Sequence, residues 1–220
     1  MIKTDVIDKI YYNESLIKLV LDRKNINFKP GQHFSISIDG IYLNREYSCY
    51  SSTYNDKSIE FLIRVIKNGT LTSLIDNLVK KNTKVTLHGP FGKFGLHSRH
   101  SNLRKLFIST GTGIAPFRSI ILSSHISNFT ILQGISSEKD IIEEKDFNDG
   151  EVIYCISKGS TKYFSGRVTK FITEELEKNY NLDNTAFYIC GNGFMISEVN
   201  DLLLKKYNIN GSRIVTEAFF

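Results

Sequence analysis

The sequence predicts two domains of different class, an antiparallel β domain followed by a parallel α/β domain. Short segments rich in Ile, Val, Tyr, Phe and Leu, separated by turn residues, fill the first half, which is typical of an antiparallel barrel or sandwich. In the second half strands alternate with helices, which indicates a parallel sheet with helices on both faces. The rhythm changes near HSRHSN, so we expect domains at residues 1–100 and 101–220.

Each element of the first domain follows from its residue pattern. Leu71, Leu74, Ile75 and Leu78 are spaced to form the single apolar face of one helix. The other elements should be strands, and these are expected at residues 2–12, 16–24, 33–39, 44–52, 58–67 and 84–88.

The second domain alternates strand and helix from KLFIS onward, and two of its strands lead through glycine-rich turns into helices. Strands are expected at residues 105–109, 129–135, 151–157, 186–190 and 213–219. Helices are expected through Ile120 and Leu122, over residues 167–178, and from the last glycine turn to about Tyr207.

Composition narrows the class of protein. The formal net charge of +5 comes from Lys and Arg dispersed among acids, which disfavours a nucleic-acid-binding protein. The chain contains three cysteines, which lie far apart and form no CxxC pair. We therefore expect no zinc or iron–sulfur site and no bound metal. The chain begins without a signal-peptide pattern and contains no apolar run that could span a bilayer, so we expect a cytoplasmic protein without membrane contact.

The segment REYS combines a fixed cation, a flat ring and a small hydroxyl on one predicted strand. Arg45 and Tyr47 share one face of that strand, while Ser48 points to the other. The segment taken alone also fits an ordinary amphipathic strand, so its function depends on what surrounds it.

Two turns have the chemistry of an anion site at the carboxyl edge of a parallel sheet. In STGTGIAPFRS, Gly111 and Gly113 allow close approach of a ligand, and Pro116 suits an early helix position. CGNGFMI repeats the order of strand, glycines and helix. Neither turn is a GxGxxG fingerprint and no acid stands clearly in the ribose position, so a standard Rossmann dehydrogenase is disfavoured. Each turn could also be a plain connector.

Together, the ordered motifs resemble those of the ferredoxin–NADP(+) reductase superfamily along nearly the whole chain. REYS resembles its RxYS flavin motif, GTGIAP its dinucleotide loop and CGNGFM its CG-x-x-x-M motif. PGQHFSI, GTLT and HGPFGKF are similar to the strand before the flavin motif, the GxxS phosphate turn with Thr for Ser, and the end of the barrel. The resemblance implies a flavin-binding Greek-key β-barrel followed by a Rossmann-like NAD(P)-binding domain.

The resemblance assigns flavin roles to residues of the first half. Arg45 should bind the FAD pyrophosphate, Tyr47 should stack on the isoalloxazine, and Ser48 should hydrogen-bond near N5 as a catalytic residue. Gly69 and Thr72 should hold the FAD phosphate at a helix start. Tyr50, Ser51 and Ser52 are expected either to touch flavin or to pack within the domain. Arg64 is expected to face solvent.

Roles in the second half follow in the same way. Gly111, Thr112 and Gly113, with Pro116 behind them, should face the NAD(P) pyrophosphate. Cys190 and Gly191 should lie near the nicotinamide, with Cys190 catalytic by position but not as a nucleophile; the alternative is a buried strand-end cysteine.

The resemblance also places residues at the nucleotide's phosphate and at the chain end. Ser157 and Lys158 lie at a strand end where NADP enzymes of the family often carry Ser-Arg for the 2′-phosphate, with Lys162 close by; the alternative is a lysine that is merely solvated in a loop. NADP(H) is therefore favoured and NAD(H) stays open. Glu217 should assist proton or charge balance near the flavin. Phe219 or Phe220 should either stack over the ring or pack at the end of the sheet.

The implied activity is hydride transfer between NAD(P)H and FAD, with electrons passed to or from a one-electron carrier. A ferredoxin or flavodoxin is the expected partner, since acidic carriers suit a positive protein. The alternatives are a flavin reductase that uses flavin as substrate, an electron-transfer subunit of a larger oxidoreductase, and a non-enzymatic binding module that retains the fold.

Overall fold

The computed structural model describes residues 1–67 and 69–219. Contacts between residues divide the chain into two units. The first, which we call the barrel unit, comprises Met1–Gly95 and Ala115–His125; the second, which we call the sheet unit, comprises Leu96–Ile114 and Ile126–Phe220. The expected fold class, an antiparallel β domain followed by a parallel α/β domain, is confirmed.

The barrel unit is built on six antiparallel strands in the order β4-β3-β6-β1-β2-β5. A bridge between Cys49 and Phe61, with the Tyr50 N–H donating to the Glu60 carbonyl at 2.8 Å, joins the two edge strands. The interior is filled by apolar residues from five of the strands, and Tyr47 of β4 packs against them. The strands are β1 Ile2–Asn13, β2 Leu16–Asp22, β3 His33–Ile38, β4 Asn44–Ser48, β5 Ser58–Arg64 and β6 Lys84–Phe91.

Helix α1, Thr70–Leu78, packs on the barrel through the face that the sequence predicts. Leu71 and Ile75 are buried, and the Lys9 ammonium donates to the carbonyl of Asp76 at 2.6 Å, near the end of the helix. Leu78 was expected on the apolar face but is exposed, because the helix ends there and the chain turns extended at Val79.

The sheet unit contains six parallel strands in the order β10-β9-β8-β7-β11-β12. Helices α3 and α4 cover one face of this sheet through a shared apolar cluster. Helix α2 starts in the sheet unit at Ile114, and its remaining residues group with the barrel unit. The elements are β7 Arg104–Thr110, α2 Ile114–Ser124, β8 Phe129–Ile135, β9 Glu151–Ile156, β10 Phe164–Ser165, α3 Val168–Asn179, β11 Thr185–Asn192, α4 Gly193–Asp201 and β12 Ile214–Phe219.

Two local features differ from expectation. Strand β10 is only two residues long, too short to show a periodic pattern, and it was not predicted. The last helix changes to a π-helical turn over Leu202–Lys206.

Within the described ranges, every helix falls short of the length and apolar character that crossing a bilayer would require.

Candidate nucleotide-binding sites

Strand β4 presents the REYS side chains at the edge of the barrel unit. Its register sets Arg45 opposite Ile36 and Ser48 opposite His33 on β3. Arg45 is exposed, and its guanidinium donates to the Asn44 carbonyl at 2.7 Å. Ser48 is buried, at 4% exposure. The strand therefore exposes its cation and buries its small hydroxyl.

The Tyr47 hydroxyl is buried, and it has no hydrogen-bond partner among the described residues. The Tyr47 ring packs against the barrel core. Burial raises the pKa of Tyr47 to about 12, although the nearby Arg45 charge acts in the opposite direction. Buried polar groups in native proteins are nearly always paired. An unsatisfied hydroxyl beside an exposed guanidinium fits a polar, anionic ligand such as a flavin nucleotide.

The residues after REYS belong to the interior of the barrel unit. Tyr50 and Ser51 are 0% and 1% exposed, and the Ser51 hydroxyl accepts from the Glu60 N–H at 3.1 Å. The Ser52 hydroxyl donates to the Leu122 carbonyl on α2 at 3.4 Å. These contacts fix all three residues within the barrel unit, and flavin contact by any of them stays a prediction.

Arg118 on α2 was not predicted as a site residue, yet it anchors the end of the REYS segment. Its guanidinium donates to the Tyr50 carbonyl at 2.7 Å and to a Glu60 carboxylate oxygen at 3.2 Å. It also lies over the Tyr50 ring, 4.1 Å from the centroid. A cation inside the apolar run IAPFRSIIL was the available signal, because a buried charge requires such partners.

The predicted FAD-phosphate turn begins α1. A Cβ on Gly69 would lie 2.6 Å from the Thr72 hydroxyl, so the turn requires glycine. The Thr72 hydroxyl accepts from the Ile66 N–H at 3.2 Å and still has its own proton to donate. The first helical turn carries no acid, which leaves the helix dipole available to an anion. Arg64, expected to face solvent, is half-buried and donates to the Ser15 hydroxyl at 3.0 Å.

In the sheet unit, the two glycine turns lie against each other at the carboxyl edge of the sheet. A Cβ on Gly113 would lie 2.3 Å from the Cys190 carbonyl oxygen, and one on Gly191 would lie 2.5 Å from the Thr110 hydroxyl. The Thr110 hydroxyl accepts from the Asn192 N–H at 3.2 Å. Both glycines are therefore required by close backbone approach.

The two turns differ in what they offer a ligand. Gly111 has φ +54°, and a Cβ there would meet nothing within 4 Å, so the space beside it is open. Pro116 is the third residue of α2, within its first turn, where proline is tolerated. In the second turn, the Asn192 side chain accepts from the Phe194 and Met195 N–H groups. Because those amides are already satisfied, the first turn is the stronger anion site.

Cys190 and Glu217 are neighbours across the pair β11 and β12. Cys190 is 0% exposed, and burial, aided by the Glu217 charge, raises its thiol pKa well above the ordinary value. The thiol therefore stays protonated near neutral pH and is no nucleophile. Glu217 and Phe219 are half-buried, with Phe219 opposite Asn192, whereas Phe220 lies outside the described residues.

Ser157 and Lys158 are exposed directly after β9, at the same sheet edge as the glycine turns. The Ser157 hydroxyl donates to the Ile135 carbonyl at 3.2 Å. Nearby, a Glu138 oxygen accepts from the Thr161 hydroxyl at 2.6 Å, which lowers the Glu138 pKa. The same Glu138 oxygen accepts from the Lys162 N–H at 3.3 Å.

Family models match both halves of the chain. The oxidoreductase FAD-binding domain matches residues 4–96, and the oxidoreductase NAD-binding domain matches residues 107–201. Methane monooxygenase component C of Methylosinus trichosporium is 31% identical over 59% of this chain and 41% of its own length. The toluate 1,2-dioxygenase electron transfer component of Pseudomonas putida is 27% identical over 87% of this chain and 60% of its length. The chain thus spans about half the length of these relatives.

Similarity over full length also occurs. Flavodoxin/ferredoxin–NADP reductase of Buchnera aphidicola is 25% identical over 90% of this chain and 88% of that protein. The crystal structure of a ferredoxin NADP+ reductase from Neisseria gonorrhoeae with bound FAD and NADP shares the fold, with a TM-score of 0.84, 19% identity, and coverage of 100% and 98% of the two chains. The protein belongs to the ferredoxin–NADP(+) reductase superfamily of oxidoreductases and carries its FAD-binding and NAD(P)-binding domains.

Proposed function

We propose that this protein is an FAD-dependent NAD(P)H oxidoreductase that exchanges electrons with a one-electron carrier, as ferredoxin– or flavodoxin–NADP reductases do. The unsatisfied Tyr47 hydroxyl beside the exposed Arg45 carries the proposal, because this pair needs a polar anionic ligand to be complete. The FAD-binding domain that matches this half supplies the identity of that ligand.

The residues that would hold FAD act through charge and hydrogen bonds. Arg45 would bind pyrophosphate oxygens, for which a permanently charged, bidentate guanidinium is suited. Tyr47 would pack along the ring system, and Ser48 would offer a hydroxyl near its reactive edge. Gly69 and Thr72 would bind phosphate at the start of α1. When bound, FAD supplies the chemistry that links two-electron hydride transfer to one-electron transfer.

On the nicotinamide side, the proposal assigns positioning to backbone groups. Gly111, Thr112 and Gly113 would bind the pyrophosphate through N–H groups. Cys190 would place a neutral thiol next to the nicotinamide, since burial keeps it protonated. Glu217 would hold or move a proton near the flavin, and Phe219 would shield the site from water.

NADP(H) is the proposed nucleotide, on the support of exposed Ser157 and Lys158 at the sheet edge. The proposed partner is a ferredoxin or flavodoxin, supported by the +5 net charge and by the names of several relatives. A cytoplasmic location belongs to the same proposal, supported by three buried cysteines that form no disulfide.

One experiment tests the proposal directly. The purified, desalted chain is examined by visible absorbance before and after anaerobic addition of NADPH, then NADH. A yellow protein that NADPH bleaches preferentially is expected. A colourless protein that oxidises NADPH only with added free flavin would replace the proposal by a flavin reductase. A chain that remains inactive after flavin reconstitution would overturn both and leave a binding module.

A second candidate is the reductase component of an oxygenase system, which the relatives named as electron transfer components favour. Both candidates share FAD reduction by a nicotinamide nucleotide and differ in the acceptor. Stopped-flow reduction of purified ferredoxin, flavodoxin and oxygenase components by the NADPH-reduced protein separates them. An acidic carrier that is reduced fastest, with a rate that falls as salt rises, supports the first candidate.

A further inference from the structure

A buried side-chain relay connects two strands to the first glycine turn of the sheet unit. Gln133 on β8 is 5% exposed, and its carboxamide nitrogen donates to the Gly111 carbonyl at 2.9 Å. Its carboxamide oxygen accepts from the hydroxyl of Ser109 on β7, which is fully buried. Burying an amide in an apolar strand is unfavourable unless both of its ends are paired, and here both are.

The relay fixes the orientation of one peptide group in the loop. Because the Ser109 hydroxyl occupies the carboxamide oxygen, the Gln133 nitrogen must face the Gly111 carbonyl. In a trans peptide, the Gly111 carbonyl and the Thr112 N–H lie in one plane and point in opposite directions. Holding the carbonyl toward the buried Gln133 therefore directs the Thr112 N–H away from Gln133.

The two glycines of the turn favour no single peptide orientation, so a bond from outside the loop adds a restraint. Gly111 adopts φ +54°, and glycine populates positive and negative φ with similar ease. Thr112 is joined by one peptide group to Gly111 and by another to Gly113. Neither glycine has a Cβ that would oppose rotation of these peptide groups. The bond from Gln133 therefore restrains the direction of the Thr112 amide from outside the loop.

We propose that Gln133 is a positioning residue which, oriented by Ser109, holds the Thr112 amide toward the pyrophosphate of the nicotinamide nucleotide. The inference rests on the proposed function, since it assigns the turn to that pyrophosphate. Gln133 itself touches no ligand; it acts through the Gly111 carbonyl.

Isothermal titration with three nucleotides tests this role. NADP+ and ADP-ribose contain the pyrophosphate, whereas adenosine 2′-monophosphate lacks it. Gln133→Met keeps the length of the side chain and removes the donor, so the Kd for the first two should rise about tenfold, equivalent to one hydrogen bond of 1.4 kcal/mol. Gln133→Glu should raise it further, because a carboxylate repels the Gly111 carbonyl. Adenosine 2′-monophosphate should bind all variants with unchanged affinity.

Two further variants keep the test decisive. Ser109→Ala leaves Gln133 in place but frees it to rotate, so a smaller rise of about threefold is expected even if Gln133→Met does not fold. Thr130→Val is the matched control, because Thr130 is a buried polar residue on the same strand, placed at its opposite end. It should leave all three affinities unchanged.

Each alternative outcome is informative. Unchanged NADP+ and ADP-ribose affinities in the Gln133 and Ser109 variants would overturn this inference alone. Equal losses for adenosine 2′-monophosphate would also overturn it, because they would indicate a general structural role. A wild-type chain that binds neither NADP+ nor ADP-ribose would overturn the proposed function, and this inference with it.

Discussion

The two candidate sites are built from different materials. In the barrel unit the site consists of side chains on a strand: Arg45 is exposed, Tyr47 half-buried and Ser48 buried. In the sheet unit it consists mainly of backbone groups, at the place where two glycine turns approach within the reach of a single Cβ. A side-chain site can lose a residue and retain its scaffold, whereas a backbone site fails when its scaffold shifts.

This difference predicts how mutations separate stability from binding. Substitutions on β4 should weaken flavin binding and leave the fold intact. Substitutions that add a Cβ in the glycine turns should affect both, and to an extent that depends on the space available. Four variants, each with a control, test the contrast.

Gly113→Ala should have the largest effect. Its Cβ would lie 2.3 Å from the Cys190 carbonyl oxygen, a backbone atom that cannot move aside, so we expect a loss of about 3 kcal/mol or more in the free energy of unfolding. Denaturant unfolding measures it. Gly111→Ala is the matched control, since its Cβ meets nothing within 4 Å and only the positive φ is strained, at about 1–2 kcal/mol. Equal losses in both variants would contradict the close approach of the two turns.

Arg45→Ala should produce the reverse pattern. Loss of a charged hydrogen-bond donor should weaken FAD binding by about 2 kcal/mol, roughly thirtyfold. The free energy of unfolding of the flavin-free protein should change by less than about 0.5 kcal/mol, because Arg45 is exposed. Flavin fluorescence titration and urea unfolding measure the two quantities.

Arg64→Ala on β5 is the matched control for Arg45. Arg64 bonds to Ser15 within the barrel unit, so its removal should lower stability by about 1 kcal/mol and leave FAD affinity unchanged. A larger loss of FAD affinity in Arg64→Ala than in Arg45→Ala would show that the flavin phosphate lies at β5 and would break the side-chain half of the comparison.

Lys158→Ala tests a part of the sheet-unit site that is made of side chains. The exposed ammonium should contribute modestly to 2′-phosphate binding, so KM for NADPH should rise about fivefold, within the range of exposed ion pairs. KM for NADH should not change. Steady-state kinetics with both nucleotides measure the split, and equal effects on NADPH and NADH would contradict the NADP(H) assignment.

The same contrast explains what could be predicted from sequence. Strand and helix order was predictable because apolar periodicity is local, and the chemistry of Arg45 and Tyr47 was visible in four consecutive residues. Gln133 and Arg118 were missed because their roles depend on residues of other elements. Gln133 lies on β8 but bonds to Gly111 in the turn after β7. The partners of Arg118 are Tyr50 and Glu60, which precede it by more than fifty positions.

Some local features were beyond pattern analysis for the same reason. Asn192 is an ordinary turn residue in the sequence, but the structure shows it capping α4, which makes the second glycine turn a weaker anion site. The need for glycine at Gly113 and Gly191 likewise arises from contacts between turns some eighty residues apart. Tertiary neighbours, not local propensity, decide such positions.

The smallest expected effect is a pH dependence confined to the sheet unit. His100 is 2% exposed; its Nδ1 lies 2.8 Å from the Tyr188 hydroxyl, and its Nε2 lies 2.9 Å from the Ser212 carbonyl oxygen. Burial, with Arg99 nearby, holds the His100 pKa below its ordinary 6.5. The folded state therefore favours the neutral ring.

The sign follows from proton linkage. Below about pH 6.5 the unfolded chain binds a proton that the folded chain does not, so stability is complete above that pH and falls as pH drops toward the folded pKa. His100→Gln should reduce the difference between urea midpoints measured at about pH 5.5 and about pH 7.5. His88→Gln, in the barrel unit, is the control. If the difference between the two urea midpoints were unchanged in His100→Gln, groups other than this buried imidazole would cause the acid sensitivity. The pH dependence could then not be assigned to the sheet unit.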